Sequence, residues 1–293
     1  MIVLGFYKYV DIADVEVLAD KLREFCRPES FKGTILLSNE GVNASISANR
    51  DDIDSFRSFI TAYDYFSDLF FKEEETYGEH PFKKMKIKIK KEIVRFEQDV
   101  DLANRGRHIT AEEFVQLYDN DGNLKEDVIL IDTRNDYEYE VGHFKGATHF
   151  NLQTFREFAD KLDLESLKNK KVVMYCTGGI RCEKASAYVK EQGIENVSQL
   201  NQGIIQFGKE FEKSVWQGKC FVFDKRMVSP MNSEGEPIST CYICGTESDF
   251  QRNCKYELCN RFYVSCSRCE EKLNKCCSKD CMEKIMHPTK AAS

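Results

Sequence analysis

The alternation of apolar and polar positions divides the chain into stretches of different texture. In residues 1–95, MIVLGFYKYV reads as a strand. Val15, Val17, Leu18, Leu22 and Phe25 then recur at helical spacing, with Asp11 or Asp14 as N-cap. GTILLS and GVNASIS are β-rich runs around the turn NEG, which predicts a hairpin. DDIDSFRSFITAY is a second amphipathic helix whose acids sit at its N-terminus, where the helix dipole favours them. FSDLFFKEEE and MKIKIKKEIVRF read as further strands. The order β-α-β-β-α-β predicts a ferredoxin-like α+β domain.

The pattern changes after residue 95. Residues 96–122 read as polar linker plus a helix, TAEEFVQLYDNDG. Over 123–217, buried-type strands alternate with helices. VILIDTR is a strand, and Gly142 and Gly146 mark turns. TFREFADKLDLESL is a helix and KKVVMYC a strand. EKASAYVKEQG is a helix with Gly193 at its end, VSQLNQGI a strand and turn, and IQFGKEFEKS a last helix. Such alternation predicts an α/β layer with a mainly parallel sheet, whose sites lie at the carboxyl ends of strands. Residues 218–237 read as an extended linker, and 238–285 as a separate cysteine-rich module. The fold class is therefore multidomain α/β.

Composition adds limits. The chain has 293 residues and a net charge of −7, so it is not globally basic as nucleic-acid binders often are. It holds no apolar run long enough to span a membrane and opens without a secretory signal, so the expected compartment is the cytoplasm. KKMKIKIKK (83–91) is a local exception to the acidic balance. As a strand it places Lys84, Lys86, Lys88 and Lys90 on one face and Met85, Ile87 and Ile89 on the other. That face is either an ordinary solvated one or, with Arg95, a stripe that meets phosphates.

The 13 cysteines are uneven: Cys26, Cys176, Cys182 and Cys220 precede residue 240, and nine follow. Cys176 ends a buried strand and opens the loop Cys176-Thr177-Gly178-Gly179-Ile180-Arg181-Cys182. Gly178 and Gly179 allow positive φ, so that backbone N–H groups turn inward as a nest. The helix that follows adds its N-terminal partial charge. Both favour an anion at the loop centre, and the anion at hand is the Cys176 thiolate, a nucleophile near neutral pH. Arg181 either fixes the loop or holds a substrate anion. The nine late cysteines, Cys241, Cys244, Cys254, Cys259, Cys266, Cys269, Cys276, Cys277 and Cys281, include two C-x2-C pairs. Eight thiolates fill two tetrahedral zinc sites and leave Cys276 or Cys277 spare. Sequential and interleaved pairings fit equally well. Arg252, Lys255 and Arg261 of this module are further candidate RNA contacts.

IDTRNDYEYEVGHFKGATHFN together with MYCTGGIR resembles the rhodanese signature. The resemblance makes Cys176 the active cysteine and residues Thr177 to Cys182 its cradle. It makes Asp132 and Arg134 supports of the loop, and His143 a brace of the Gly142–Gly146 turn. GTILLSNEGVNASIS, YCTGGIRCEKAS, NQGI, CFVFDKR and the cysteine-rich tail extend the resemblance over nearly the whole chain, to the tRNA uridine(34) hydroxylases. That family implies 5-hydroxylation of the wobble uridine with O2 as co-substrate and the tRNA anticodon loop as partner. Cys176 would act by adding to uracil C6, or by carrying an oxygen that Cys182 resolves. The alternative is a rhodanese-type sulfurtransferase working through a cysteine persulfide. A third reading, a non-enzymatic RNA-binding protein, sits poorly with an intact Cys176. No sequence feature marks a flavin, a haem or a membrane segment, and none speaks to oligomeric state.

Overall fold

The computed structural model describes residues 1–27, 30–76, 78–211, 215–229 and 235–287. The first unit comprises β1 (Ile2–Tyr9), α1 (Val15–Phe25), β2 (Lys32–Ser38), β3 (Gly41–Ala48), α2 (Arg50–Thr61), β4 (Lys72–Glu75) and β5 (Met85–Ile89). Its sheet runs β4-β1-β3-β2-β5, the ferredoxin-like order with one strand added parallel to β2. Leu4, Phe6, Ile35, Leu37 and Ile46 meet Leu18, Leu22, Ile53, Phe56 and Ile60 in one core. Because side chains alternate along a strand, the other face carries Gly5, Tyr7, Asn43 and Ser45. Register extends that face: Tyr7 pairs Asn43, Asn43 pairs Leu36, and Leu36 pairs Lys88. The lysine alternation is as expected, with Met85 and Ile87 packed on the core and Lys84, Lys86, Lys88 and Lys90 exposed. Two expected strands are shorter: of FSDLFFKEEE only Lys72–Glu75 is strand, after a 3-10 turn at Asp64–Phe66, and the other strand's pairing stops at Ile89.

The second unit comprises β6 (Arg107–Ile109), α3 (Ala111–Val115), β7 (Val128–Asp132), α4 (Asp136–Val141), β8 (Gly142–Phe144), α5 (Phe158–Lys161), α6 (Leu164–Leu167), β9 (Lys171–Tyr175), α7 (Ile180–Glu191), β10 (Val197–Leu200) and α8 (Gly203–Glu210). Its sheet is β6-β10-β9-β7, parallel throughout. The stretch 96–122 is thus more than a linker, because β6 is the edge strand of this sheet. The expected helix over 154–167 breaks in two where Asp163 accepts from the N–H groups of Glu165 and Ser166 and caps a new start. Gly142 is not a turn glycine. It is extended, and a Cβ there would lie 2.1 Å from the Lys219 carbonyl on the adjoining strand. Gly146 (φ 78°) and Gly193 (φ 89°) do take left-handed positions. The expected last helix ends at Glu210 among the described residues, and residues 212–214 lie outside them.

Strand β11 (Trp216–Gly218) pairs with β8. Residues 220–229 then fold back on themselves: Phe221 bridges Val228, and the Ser229 N–H donates to the Cys220 carbonyl. The expected linker is therefore a pinned turn, apart from 230–234, which lie outside the described residues. The final module holds the hairpin β12 (Gln251–Asn253) and β13 (Phe262–Val264), then α9 (Ser267–Lys272) and α10 (Lys279–Met286). It packs on α4 through Tyr137, whose ring lies 4.7 Å from that of Phe262. The first two units are joined by Lys184, buried between Glu40 (2.9 Å) and Glu92 (2.7 Å).

Candidate active site

The loop after β9 is held from three sides. Gly179 takes φ 96°, and its N–H donates to Cys176 Sγ at 3.1 Å. Gly178, also expected at positive φ, does not need it, and open space lies beside it. Helix α8 clamps the loop from behind, because the Ile204 and Ile205 N–H groups donate to the Cys176 and Thr177 carbonyls. Gly203 makes this approach feasible: a Cβ there would sit 2.5 Å from the Cys176 oxygen. Arg181 fixes the loop rather than waiting for an anion. Its guanidinium donates to both oxygens of Glu138, at 2.7 and 2.8 Å, and the Thr177 hydroxyl donates to the same carboxylate.

Electrostatics follow from this geometry. Burial alone would push the Cys176 thiol up. The Cys182 thiol, the Arg181 charge and the N–H groups of Arg181 and Gly179 outweigh it and bring the group to about 5. Cys182 behaves oppositely: burial and the neighbouring Cys176 sulfur hold its thiol well above the usual range, so it remains a proton donor to the thiolate. Asp132 and Arg134 form a buried bidentate pair, and Arg134 Nη2 also donates to the Gly142 carbonyl at 2.6 Å. They tie β7 to the α4–β8 corner and do not line the cavity described next. His143 stacks on Tyr139, with ring centroids 3.9 Å apart, and its Nδ1 pairs with the Tyr139 carbonyl.

A cavity of about 590 Å3 opens beside the loop. Its walls come from the free face of the first sheet (Tyr7, Asn43, Ser45, Lys72), from the loop (Cys176 to Gly178, Ile180, Arg181) and from the pinned turn (Val222, Phe223, Asp224, Arg226). Arg95, Thr154 and Arg156 also contribute. Cys176 is fully covered at rest, whereas Phe223 is 61% exposed. The turn is anchored by Arg226, which pairs with Asp224 and with Glu74 of β4. Of the candidate RNA contacts, Arg95 borders the cavity while pairing with Glu97, and the lysine row of β5 lies on the same sheet face two strands beyond Asn43. Tyr7, Lys72, Glu138 and Phe223 were not singled out by the sequence. Each depends on partners far along the chain, and only the EY of the rhodanese-like signature hinted at Glu138.

The module's cysteines fall into two groups, Cys241/Cys244/Cys266/Cys269 and Cys254/Cys259/Cys277/Cys281, so the pairing is interleaved. Within each group the sulfurs lie within 4.8 Å of one another. Adjacent sulfurs stand 3.7 Å apart (Cys244–Cys266, Cys259–Cys277) and 3.8 Å apart (Cys277–Cys281). A tetrahedral ion with metal–sulfur bonds of about 2.3 Å sets its ligands about 3.8 Å apart, so the all-sulfur sets fit such an ion. Cys276 belongs to neither group; it is buried, and its thiol donates to the Asn274 carbonyl. Arg252 is taken by Glu270 and Lys255 by Asn274, whereas Arg261 lies over the exposed Tyr242 ring.

Comparison with known proteins decides the kinship. Residues 1–93 match the UPF0176 acylphosphatase-like domain, 110–210 the rhodanese-like domain and 217–282 the rhodanese C-terminal family. A tRNA uridine(34) hydroxylase of Cytophaga hutchinsonii is 39% identical, covering 98% of this chain and 91% of its own length. The chain belongs to the tRNA uridine(34) hydroxylase family. Hydroxylases of that name from Staphylococcus carnosus (38% identical, 96% of this chain, 89% of theirs) and Bacillus licheniformis (37%, 98% and 88%) match over the same span. For this tRNA uridine(34) hydroxylase family member, the likeness includes the first unit and the cysteine-rich module as well as the rhodanese-like centre. No helix among the described residues is long and apolar enough to cross a membrane.

Proposed function

We propose that this chain hydroxylates C5 of uridine 34 in tRNA, with O2 as co-substrate and Cys176 as the reacting group. The observation that carries the reading is a cavity of nucleotide size whose walls combine the Cys176 loop with the first unit and the pinned turn. A small sulfur donor would need only the loop. The wobble base lies in a single-stranded loop and can be splayed into such a cavity at little cost.

The chain's own groups divide the work. The N–H of Gly179 and the Cys182 thiol keep the sulfur anionic. Arg181 and Glu138 hold the loop in register. Addition of the thiolate to C6 of the pyrimidine would make C5 electron-rich and ready for oxygen. Phosphates flanking the base would run along Lys84, Lys86, Lys88 and Lys90, with Arg95 at the cavity rim. The two four-cysteine groups would each hold a zinc ion, which supplies cross-links and no chemistry. The site of action is the cytoplasm, where tRNA is modified.

The test is mass spectrometry of tRNA nucleosides from cells carrying only the Cys176→Ala chain. Disappearance of 5-hydroxyuridine derivatives is expected. Their persistence would overturn the reading, and loss of a thiolated nucleoside instead would favour sulfur transfer.

A further inference from the structure

Two lysines are buried between the first and second units, and they are treated differently. Lys184, 3% exposed, sits between two carboxylates, as a buried structural cation should. Lys72, 7% exposed, has no carboxylate oxygen within ion-pair distance among the described residues. Its Nζ donates one hydrogen bond, 2.7 Å, to the side-chain oxygen of Gln202. The rings of Tyr7 and Phe70 flank it, at 5.1 and 5.7 Å to the centroids. An ammonium carries three donors, so two are left for the cavity that Lys72 lines.

Position gives those donors a purpose. A Cβ built on Gly179 would fall 2.8 Å from the Tyr7 hydroxyl and 3.5 Å from Cα of Gln202. Two of the three neighbours of the Lys72 ammonium, Tyr7 and Gln202, therefore lie against Gly179, the residue whose N–H holds the Cys176 sulfur. Gln202 is itself held in a left-handed conformation (φ 59°), a strained arrangement of the kind that collects at functional sites. The same cavity is thus lined by Cys176 and by an ammonium that pairs with no carboxylate among the described residues.

We infer that Lys72 is a second catalytic residue: its ammonium receives the negative charge that develops on O4 of the pyrimidine when the Cys176 sulfur adds to C6. This rests on the hydroxylase reading above. The step balances without a further reagent. The sulfur lone pair forms the S–C6 bond, the C5–C6 π pair moves between C4 and C5, and the C4–O4 π pair moves onto O4. One negative charge leaves the sulfur and appears on oxygen, where two N–H donors await it. A preorganised donor of this kind in a site closed to water stabilises a transition state more than it does the ground state.

The charged and titratable groups around Lys72 are Cys176 on the loop, Lys209 on α8, Glu183 on α7, and Tyr7 on β1. Burial lowers the amine to about 8; Lys209 acts the same way, and Cys176 and Glu183 oppose it. The full-length chain is assayed in air with a thiol reductant, on a tRNA transcript with unmodified uridine 34, across pH 5 to 10. If the wild-type chain makes no 5-hydroxyuridine, the functional reading fails, and this inference with it. If it does, Lys72→Met is expected to lower kcat by about 100-fold or more with tRNA affinity within about threefold of wild type. Lys72→Arg, which keeps the charge and cannot lose its proton, is expected to rescue part of the kcat lost in Lys72→Met and to lose the alkaline fall near pH 8. A Lys72→Met chain within about threefold of wild-type kcat overturns the inference while leaving the hydroxylase reading intact. So does an active Lys72→Arg chain whose alkaline limb stays at the wild-type position.

Discussion

At the scale of single residues, the proposed chemistry rests on how the Cys176 sulfur is kept charged while fully covered. Thiolate is the reactive form, so the pH at which Cys176 begins to react reports its cradle. Alkylation followed on the tryptic peptide 172–181, which contains Cys176 and no other cysteine, should rise with a midpoint near pH 5. A cysteine without a cradle would rise near about 8.5. The sign is fixed by the direction of the shift: the group loses reactivity only as pH falls through its lowered value. Glu138 holds the loop that forms this cradle, through Thr177 and Arg181. Glu138→Gln leaves the Arg181 charge buried without its carboxylate, and breaking such a pair costs about 3–5 kcal/mol. The expected result is a clear fall in melting temperature together with loss of hydroxylation. Cys176 could be read in the sequence because strand end, glycines and helix start are neighbours there. Glu138 could not, since its partners Thr177 and Arg181 lie 39 and 43 residues away.

At the scale of elements, the loop exists because α7 begins where β9 ends and α8 backs onto both. Gly203 is the point of closest approach. Gly203→Ala would bring a methyl within 2.5 Å of the Cys176 carbonyl oxygen, 2.7 Å of the Gly179 nitrogen and 2.8 Å of the Thr177 oxygen, at φ 70°. All three are backbone atoms, so the loop itself has to move. Strain of this kind costs about 1–3 kcal/mol, and the sharper effect should be a Cys176 alkylation midpoint displaced toward that of a free thiol. Strand β5 was legible from its alternation, β1 from its apolar run, and α1 and α2 from their apolar stripes. Elements set by tertiary contact were not. β6 looks like linker until β10 pairs with it, and α4 hides in DYEYEV because its buried face is Glu138 and Val141.

At the scale of the whole molecule, the zinc reading and the lysine row make separate predictions. Elemental analysis of the intact chain should give two zinc ions, one for each four-cysteine group. Cys276→Ser should keep both, while Cys254→Ser should lose one. The pairing was not legible because either scheme satisfies the thiols; the β12–β13 hairpin, which brings distant pairs together, decides it. Reversing charge at Lys84, Lys86 and Lys88 should weaken tRNA binding and reduce its salt dependence by roughly two to three counterions.

The cavity has a consequence for how activity appears during synthesis. Its walls are drawn from residues 3 to 226, so no fragment that folds early owns a finished one. The groups that charge the sulfur (Arg181, Cys182 and the Gly179 N–H) all lie in the rhodanese-like centre, whereas the enclosure also needs the first unit and the pinned turn. On the proposed function, hydroxylation would be withheld from half-made chains, and catalytic competence would mark completed docking rather than any one domain.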